Sequence, residues 1–148
     1  MRKPWQSDEF LEWFDSILKK DDLDIFEFGS GYSTIWLEKR ARRLVSVEHD
    51  IRWYEKLKND LENTHYIFSH PESYHRTIHN HSPFDVIIVD GIYRVRCIRE
   101  AIKSARPGCL IILDDSEKDK YKEIKREMQQ YVYKTFRDDE KETIVWKL

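Results

Sequence analysis

One segment constrains this chain more than any other: Asp24 to Asp50, DIFEFGSGYSTIWLEKRARRLVSVEHD, where two short apolar runs flank a glycine turn and a stretch of helical spacing. β-Branched and aromatic residues favour strands, and Gly29 and Gly31 allow a tight turn with open backbone N–H groups. The pattern predicts strand 24–28, helix 33–41 and strand 44–48, a single β-α-β unit.

The alternation continues on both sides of that unit. Phe10, Leu11, Trp13, Phe14, Ile17 and Leu18 recur at helical spacing after Ser7, a natural N-cap, so residues 8–19 predict an amphipathic helix covering a sheet. A helix over 51–60, a strand over 65–69 and an irregular stretch over 71–83 follow. FDVIIVD, ending at Asp90, is nearly all apolar, as suits a strand buried on both faces of a parallel sheet. A helix over 94–105, stopped by Pro107 and Gly108, leads to a second buried strand, CLIILDD, from Cys109. A helix over 118–130 precedes two alternating runs, YVYKTF and TIVWKL, that read as an antiparallel hairpin. The expected fold is α/β: a doubly wound, seven-stranded Rossmann-like sheet, mostly parallel with a C-terminal antiparallel hairpin and helices on both faces. A length of 148 residues suits a single domain, with 1–22 as a covering helix and 23–148 as the core.

Composition narrows the function classes. With 26 Lys and Arg against 28 Asp and Glu the formal net charge is −2, which supplies no global attraction for nucleic acid. Lys39, Arg40, Arg42 and Arg43 cluster where a helix should end, and cations there complement the helix dipole. No window approaches the roughly 18 to 20 apolar residues of a membrane span, and the start lacks an apolar signal region, so a cytoplasmic location is expected. Cys97 and Cys109 show no metal-binding spacing and read as reduced thiols.

In an open α/β sheet ligands bind beyond the carboxyl ends of the strands. Glu48 lies nineteen residues after Gly29, at the end of the next strand, where a carboxylate can accept both hydroxyl hydrogens of a ribose. The dinucleotide pattern needs a third glycine where this chain has Thr34, so NAD fits poorly. Glu27, just ahead of the turn, suits an ammonium better than a phosphate. These features favour a cationic, phosphate-free nucleoside cofactor.

Taken in order, EFGSGYST, VSVEHD, FDVIIVDG and CLIILDD resemble the successive motifs of class I S-adenosylmethionine-dependent methyltransferases over residues 24–148. The resemblance implies that Glu27, Gly29, Ser30 and Gly31 line the methionine end of S-adenosylmethionine, that Glu48 holds the ribose and that His49 lies against the adenine. Ser33 and Glu72 carry over more loosely. The GYS turn and the VDG and LDD strand ends are most similar to small-molecule O-methyltransferases, which implies methyl transfer to a small-molecule or sugar-bearing acceptor, at oxygen. No Asn/Asp-Pro-Pro-Tyr stretch of the exocyclic-amine methylases is present. Asp90, at the switch point, is the candidate base and a cofactor contact, and Tyr93, Arg94 and Asp114 are candidate acceptor contacts. Cation-dependent members hold a divalent metal with an Asp and an Asp-Asn pair. Asp90, Asp114 and Asp115 fall at those places, but Asp115 replaces the asparagine and no lysine follows Asp90, so a divalent cation is not favoured. His65, His70, His75, His79 and His81 match no compact zinc motif. Trp5, Trp13 and Tyr32 are candidates for an acceptor surface. A homodimer stays open, as does the alternative of a non-catalytic cofactor-binding or protein-interaction module on the same fold.

Overall fold

The computed structural model describes residues 7–148. Helix α1 (Asp8–Lys20) opens on Ser7, whose Oγ accepts from the Phe10 N–H at 3.2 Å. Strand β1 (Asp24–Phe28), helix α2 (Tyr32–Glu38) and strand β2 (Arg43–Glu48) form the first β-α-β unit. Helix α3 (Ile51–Leu57) and strand β3 (Thr64–Phe68) extend it to one edge. A 3-10 segment (Tyr74–Asn80) then leads to β4 (Phe84–Val89), α4 (Arg94–Lys103), β5 (Ala105–Leu113), α5 (Lys122–Glu127) and the hairpin β6 (Val132–Asp138) and β7 (Lys141–Lys147).

The strand order is β3-β2-β1-β4-β5-β7-β6, parallel from β3 to β5 and antiparallel in the hairpin. The order reverses at β1, between β2 and β4, so a crevice must open at the carboxyl ends of β1 and β4. Alternation along β1 divides the core. Ile25 faces Phe10, Phe14 and Leu18 of α1 and Leu37 of α2, whereas Phe26 and Phe28 face the other layer, with Tyr74, Cys97 and Ile98. Each fully buried Phe or Ile contributes about 1.5–3 kcal/mol. Cys97 and Cys109 are buried free thiols whose pKa burial pushes up to about 12.

Several element boundaries differ from expectation: α2 ends at Glu38 and α3 at Leu57, each three residues early. Pro107 and Gly108 do not stop α4, which already ends at Lys103; they lie within β5, where the pairing with β4 jumps from Phe84–Ala105 to Val86–Leu110. The residues between bulge out of the ladder, which tolerates a proline with no N–H to donate. The helix expected over 118–130 is broken into short turns around the six residues of α5. No described helix is long and apolar enough to cross a membrane.

At the end of the sheet away from the crevice, buried Asp24 accepts two hydrogen bonds from Arg42, each 2.9 Å, and one from Arg106, also 2.9 Å; Arg106 reaches Asp85 at 2.8 Å as well. The Arg42 guanidinium holds the Asp24 carboxyl down at a pKa of about 2. Arg40 pairs with Asp15 and covers the Trp36 ring, and Arg43 donates to the carbonyls of His81 and Pro83. The three arginines of the basic cluster are therefore spent on the fold.

Candidate active site

Gly29 leaves β1 with φ +91°, and a Cβ there would stand 2.5 Å from the Asp90 carbonyl oxygen. The ends of β1 and β4 can approach this closely because the position carries no side chain. Beneath the turn, Glu27 is fully buried and its carboxylate accepts from the hydroxyls of Ser33 (2.6 Å), Thr34 (2.5 Å) and Ser46 (2.8 Å). Thr34 also accepts from the Gly31 N–H at 3.0 Å. The residue that spoils the dinucleotide pattern is thus what ties the turn to the strand below.

Above the turn lies a cavity of about 360 Å³, within the range of small-molecule sites. Gly29, Ser30, Gly31, Tyr32 and Ser33 form one wall; Glu48, His49, Asp50 and Trp53 form a second; Asp90, Gly91, Arg94 and Asp115 form a third. The site residues expected at Gly29, Ser30, Gly31, Ser33, Glu48, His49 and Asp90 are brought together here. The structure places the others elsewhere. Glu27 is sealed under the turn, because its strand is buried on both faces, and it shapes the cavity without touching it. Glu72 is exposed outside the wall, and buried Tyr74, two residues on, takes the place beneath it. Asp114 is almost fully buried, its side chain accepting from Thr143 at 3.1 Å. Tyr93 turns away into a neighbouring cleft. Trp13 packs against Phe10 and Phe136, and Trp5 lies outside the described residues.

Glu48 is the most heavily bonded group of the site. Its Oε1 accepts from Ser30 N (3.0 Å) and Ser30 Oγ (2.6 Å), and its Oε2 from the N–H groups of His49 (3.1 Å) and Asp50 (2.9 Å). Ser30 Oγ has a second partner in the Tyr66 hydroxyl at 2.6 Å. A ligand diol can therefore take the Oε1 position while Ser30 keeps Tyr66. Among the described residues two buried polar atoms nearby lack hydrogen-bond partners: Tyr74 Oη, set so close beneath Gly91 that a Cβ there would collide with it, and His49 Nδ1, which lies 3.4 Å from Glu48 Oε2 outside bonding geometry. Orphaned donors and acceptors are costly, and their presence here fits a site completed by a polar ligand. Trp53, which the sequence reading did not assign to the site, donates from Nε1 to the Ser30 carbonyl at 2.8 Å and meets Tyr32 edge-on at 6.1 Å, building an aromatic wall.

Asp90, Asp114 and Asp115 converge, with carboxylate oxygens within 4.8 Å of one another. Among the described residues no other trio of His, Cys, Asp or Glu is so placed; His79 is engaged with Glu100 and Ser104, and His65 packs on His81. The positive charge that balances the trio comes from the chain. Arg94 lies 3.3 Å from Asp90 and 3.8 Å from Asp115, and Lys141, from the start of β7, lies 3.5 Å from both Asp114 and Asp115. A divalent ion at the trio would have to displace these groups. Titrating the protein with millimolar Mn²⁺ should give no calorimetric signal, and Lys141→Met should create one; wild-type binding in the micromolar range would contradict this account.

Burial and the Asp114 charge push the Asp90 carboxyl upward, and Arg94 opposes them. Burial pushes Glu27 up to about 7, against its three hydroxyl donors and with Glu48 adding a like charge. In the unfolded chain a glutamate ionises near 4.5, so between that pH and about 7 unfolding releases a proton that the folded protein keeps. Stability therefore falls as pH rises through this window, by up to about 3 kcal/mol from Glu27. Glu27→Gln, which stays neutral, should flatten the decline in melting temperature between pH 5 and pH 8 and melt above wild type at pH 8. An unchanged slope would show that Glu27 already ionises normally.

No protein-family model and no curated protein matches the chain. Solved structures do. An O-methyltransferase from Bacillus cereus in complex with S-adenosylhomocysteine aligns with TM-score 0.77 and 18% identity, over 97% of this chain and 82% of that one. TomG, an O-methyltransferase from Streptomyces achromogenes involved in tomaymycin synthesis, in complex with S-adenosylmethionine, aligns with TM-score 0.71 and 17% identity, over 96% and 81%. An rRNA methylase from Streptococcus thermophilus aligns with TM-score 0.67 and 16% identity, over 93% and 96%. The chain has the fold of class I S-adenosylmethionine-dependent methyltransferases.

Proposed function

We propose that the protein is an S-adenosylmethionine-dependent methyltransferase acting at an oxygen of a small-molecule or sugar-bearing acceptor. The observation that carries the reading is the pairing of Glu48 with the glycine turn on one side of the switch-point cavity and Asp90 on the other. Structural neighbours crystallised with S-adenosylmethionine or its product support it. When bound, the cofactor would supply an electrophilic sulfonium methyl. Glu48 would hold its ribose through charge-assisted hydrogen bonds, while Tyr32 and Trp53 shield the cavity from water. Alignment of the acceptor oxygen is the main demand on the protein in such a displacement. Asp90, at the wall shared by β1 and β4, would take the acceptor's proton; burial pushes its pKa up to about 8, so the ionised, proton-accepting form grows as pH rises toward that value. Calorimetric titration with S-adenosylhomocysteine tests the reading: micromolar binding is expected, and no binding to folded protein at millimolar ligand would sink it.

A further inference from the structure

A second cleft, of about 460 Å³, adjoins the first, and Gly91 and Arg94 belong to the walls of both. Its remaining lining comes from the start of α4 and the segment before α5: Ile92, Tyr93, Val95, Arg96, Lys120 and Tyr121. Three kinds of surface meet there. Ile92 and Val95 give an apolar floor, two tyrosine rings give flat walls, and Arg96 and Lys120 give positive charge, with no carboxylate in the lining.

The cations of the cleft differ in availability. Arg94 is consumed by the carbonyls of Gly91 (2.9 Å) and Asp114 (2.7 Å) and by the aspartates. Arg96 and Lys120 have no hydrogen bond or ion pair among the described residues; each lies over a tyrosine ring, Arg96 at 5.0 Å from the Tyr93 centroid and Lys120 at 5.3 Å from that of Tyr121. A cation over a ring face keeps its outer side available to an anion. Tyr93 is held at φ +48° and ψ +46°, a left-handed conformation that a bulky residue rarely adopts, and the residue is 47% exposed. Strain of this kind persists where the surroundings enforce it and clusters at ligand sites.

We infer that this cleft is the acceptor subsite and that it takes a planar acid, with the oxygen to be methylated toward Asp90 and a carboxylate between Arg96 and Lys120. The inference rests on the methyltransferase reading for its direction, but the binding claim can fail separately. Para-hydroxybenzoate and its neutral near-isostere para-hydroxybenzamide serve as probes, titrated with and without saturating S-adenosylhomocysteine. The acid should bind at least about tenfold more tightly than the amide. The double variant R96E/K120E should lose that preference while binding S-adenosylhomocysteine as wild type does, since neither residue lines the cofactor cavity. Equal binding of acid and amide, no binding of the acid, or a preference that survives the charge reversal would overturn the assignment. Failure of S-adenosylhomocysteine to bind while the acid preference holds would instead count against the methyltransferase reading alone.

Discussion

Glu48→Gln is expected to weaken S-adenosylhomocysteine binding by at least about 100-fold, because hydrogen bonds to a charged partner contribute roughly 1.5–3 kcal/mol each and a ribose offers two hydroxyls. The substitution keeps the size of the side chain and one acceptor, but it turns an NH₂ toward donors. The carboxylate already accepts from Ser30 and from the His49 and Asp50 N–H groups. Glutamine must leave some of these unmatched, so a loss of about 1–3 kcal/mol in stability should accompany the loss of affinity. Ser30→Ala separates the two effects. It removes the hydroxyl that competes for Oε1 while leaving the carboxylate, so affinity should hold or improve. Calorimetry on both variants, with circular dichroism as the check on folding, decides the matter; an E48Q affinity within threefold of wild type, by rough allowance for error, would remove Glu48 as the ribose anchor.

The second large effect separates two glycines that look equivalent in GSG. Gly29→Ala places a Cβ 2.5 Å from the Asp90 carbonyl oxygen at φ +91°. Overpacking against backbone and a left-handed alanine together cost about 3 kcal/mol or more, a fall of about 10 °C in melting temperature for a domain of this size. Gly31 is extended, and its Cβ position has only a Trp53 ring carbon nearby, at 4.0 Å. Gly31→Ala should therefore melt within a few degrees of wild type yet bind S-adenosylhomocysteine about tenfold or more less tightly, because the added methyl projects toward the ligand's space. Similar melting points for the two variants would show that the β1–β4 contact is more compliant than its geometry implies.

These cases also show how far the residues could be read in advance. Strand runs such as FDVIIV, buried on both faces, announce a parallel sheet by composition alone, and the turn and Glu48 follow from spacing along one β-α-β unit. Local pattern has less to say where neighbours come from distant elements. Glu27 looks like a cavity residue until β1 is seen to be buried on both sides. Lys141 reaches the aspartates from a hairpin, and Tyr74 reaches Gly91 from a 3-10 segment after β3; neither has a signal in its own stretch of sequence. Pro107 and Gly108 carry the ordinary marks of a helix stop, and only the jump in strand register shows that they bulge from β5. Distances along the chain predict what a single unit does; the wall around Asp90 is assembled from several.

Asp24, with Arg42, Arg106 and Asp85, binds β1, β4 and β5 together at the end opposite the crevice through bonds of 2.8–2.9 Å, while the three carboxylates at the other ends of β4 and β5 are balanced by Arg94 and Lys141 at 3.3–3.8 Å. The sheet is thus clamped by short bonds at one rim and held by longer ion pairs at the other. Local fluctuations should follow that asymmetry, with backbone amides at the carboxyl ends of β4 and β5 exchanging with solvent before those near the clamp. Opening that admits a ligand can then be confined to the crevice rim, without loosening the joint that keeps the strands in register.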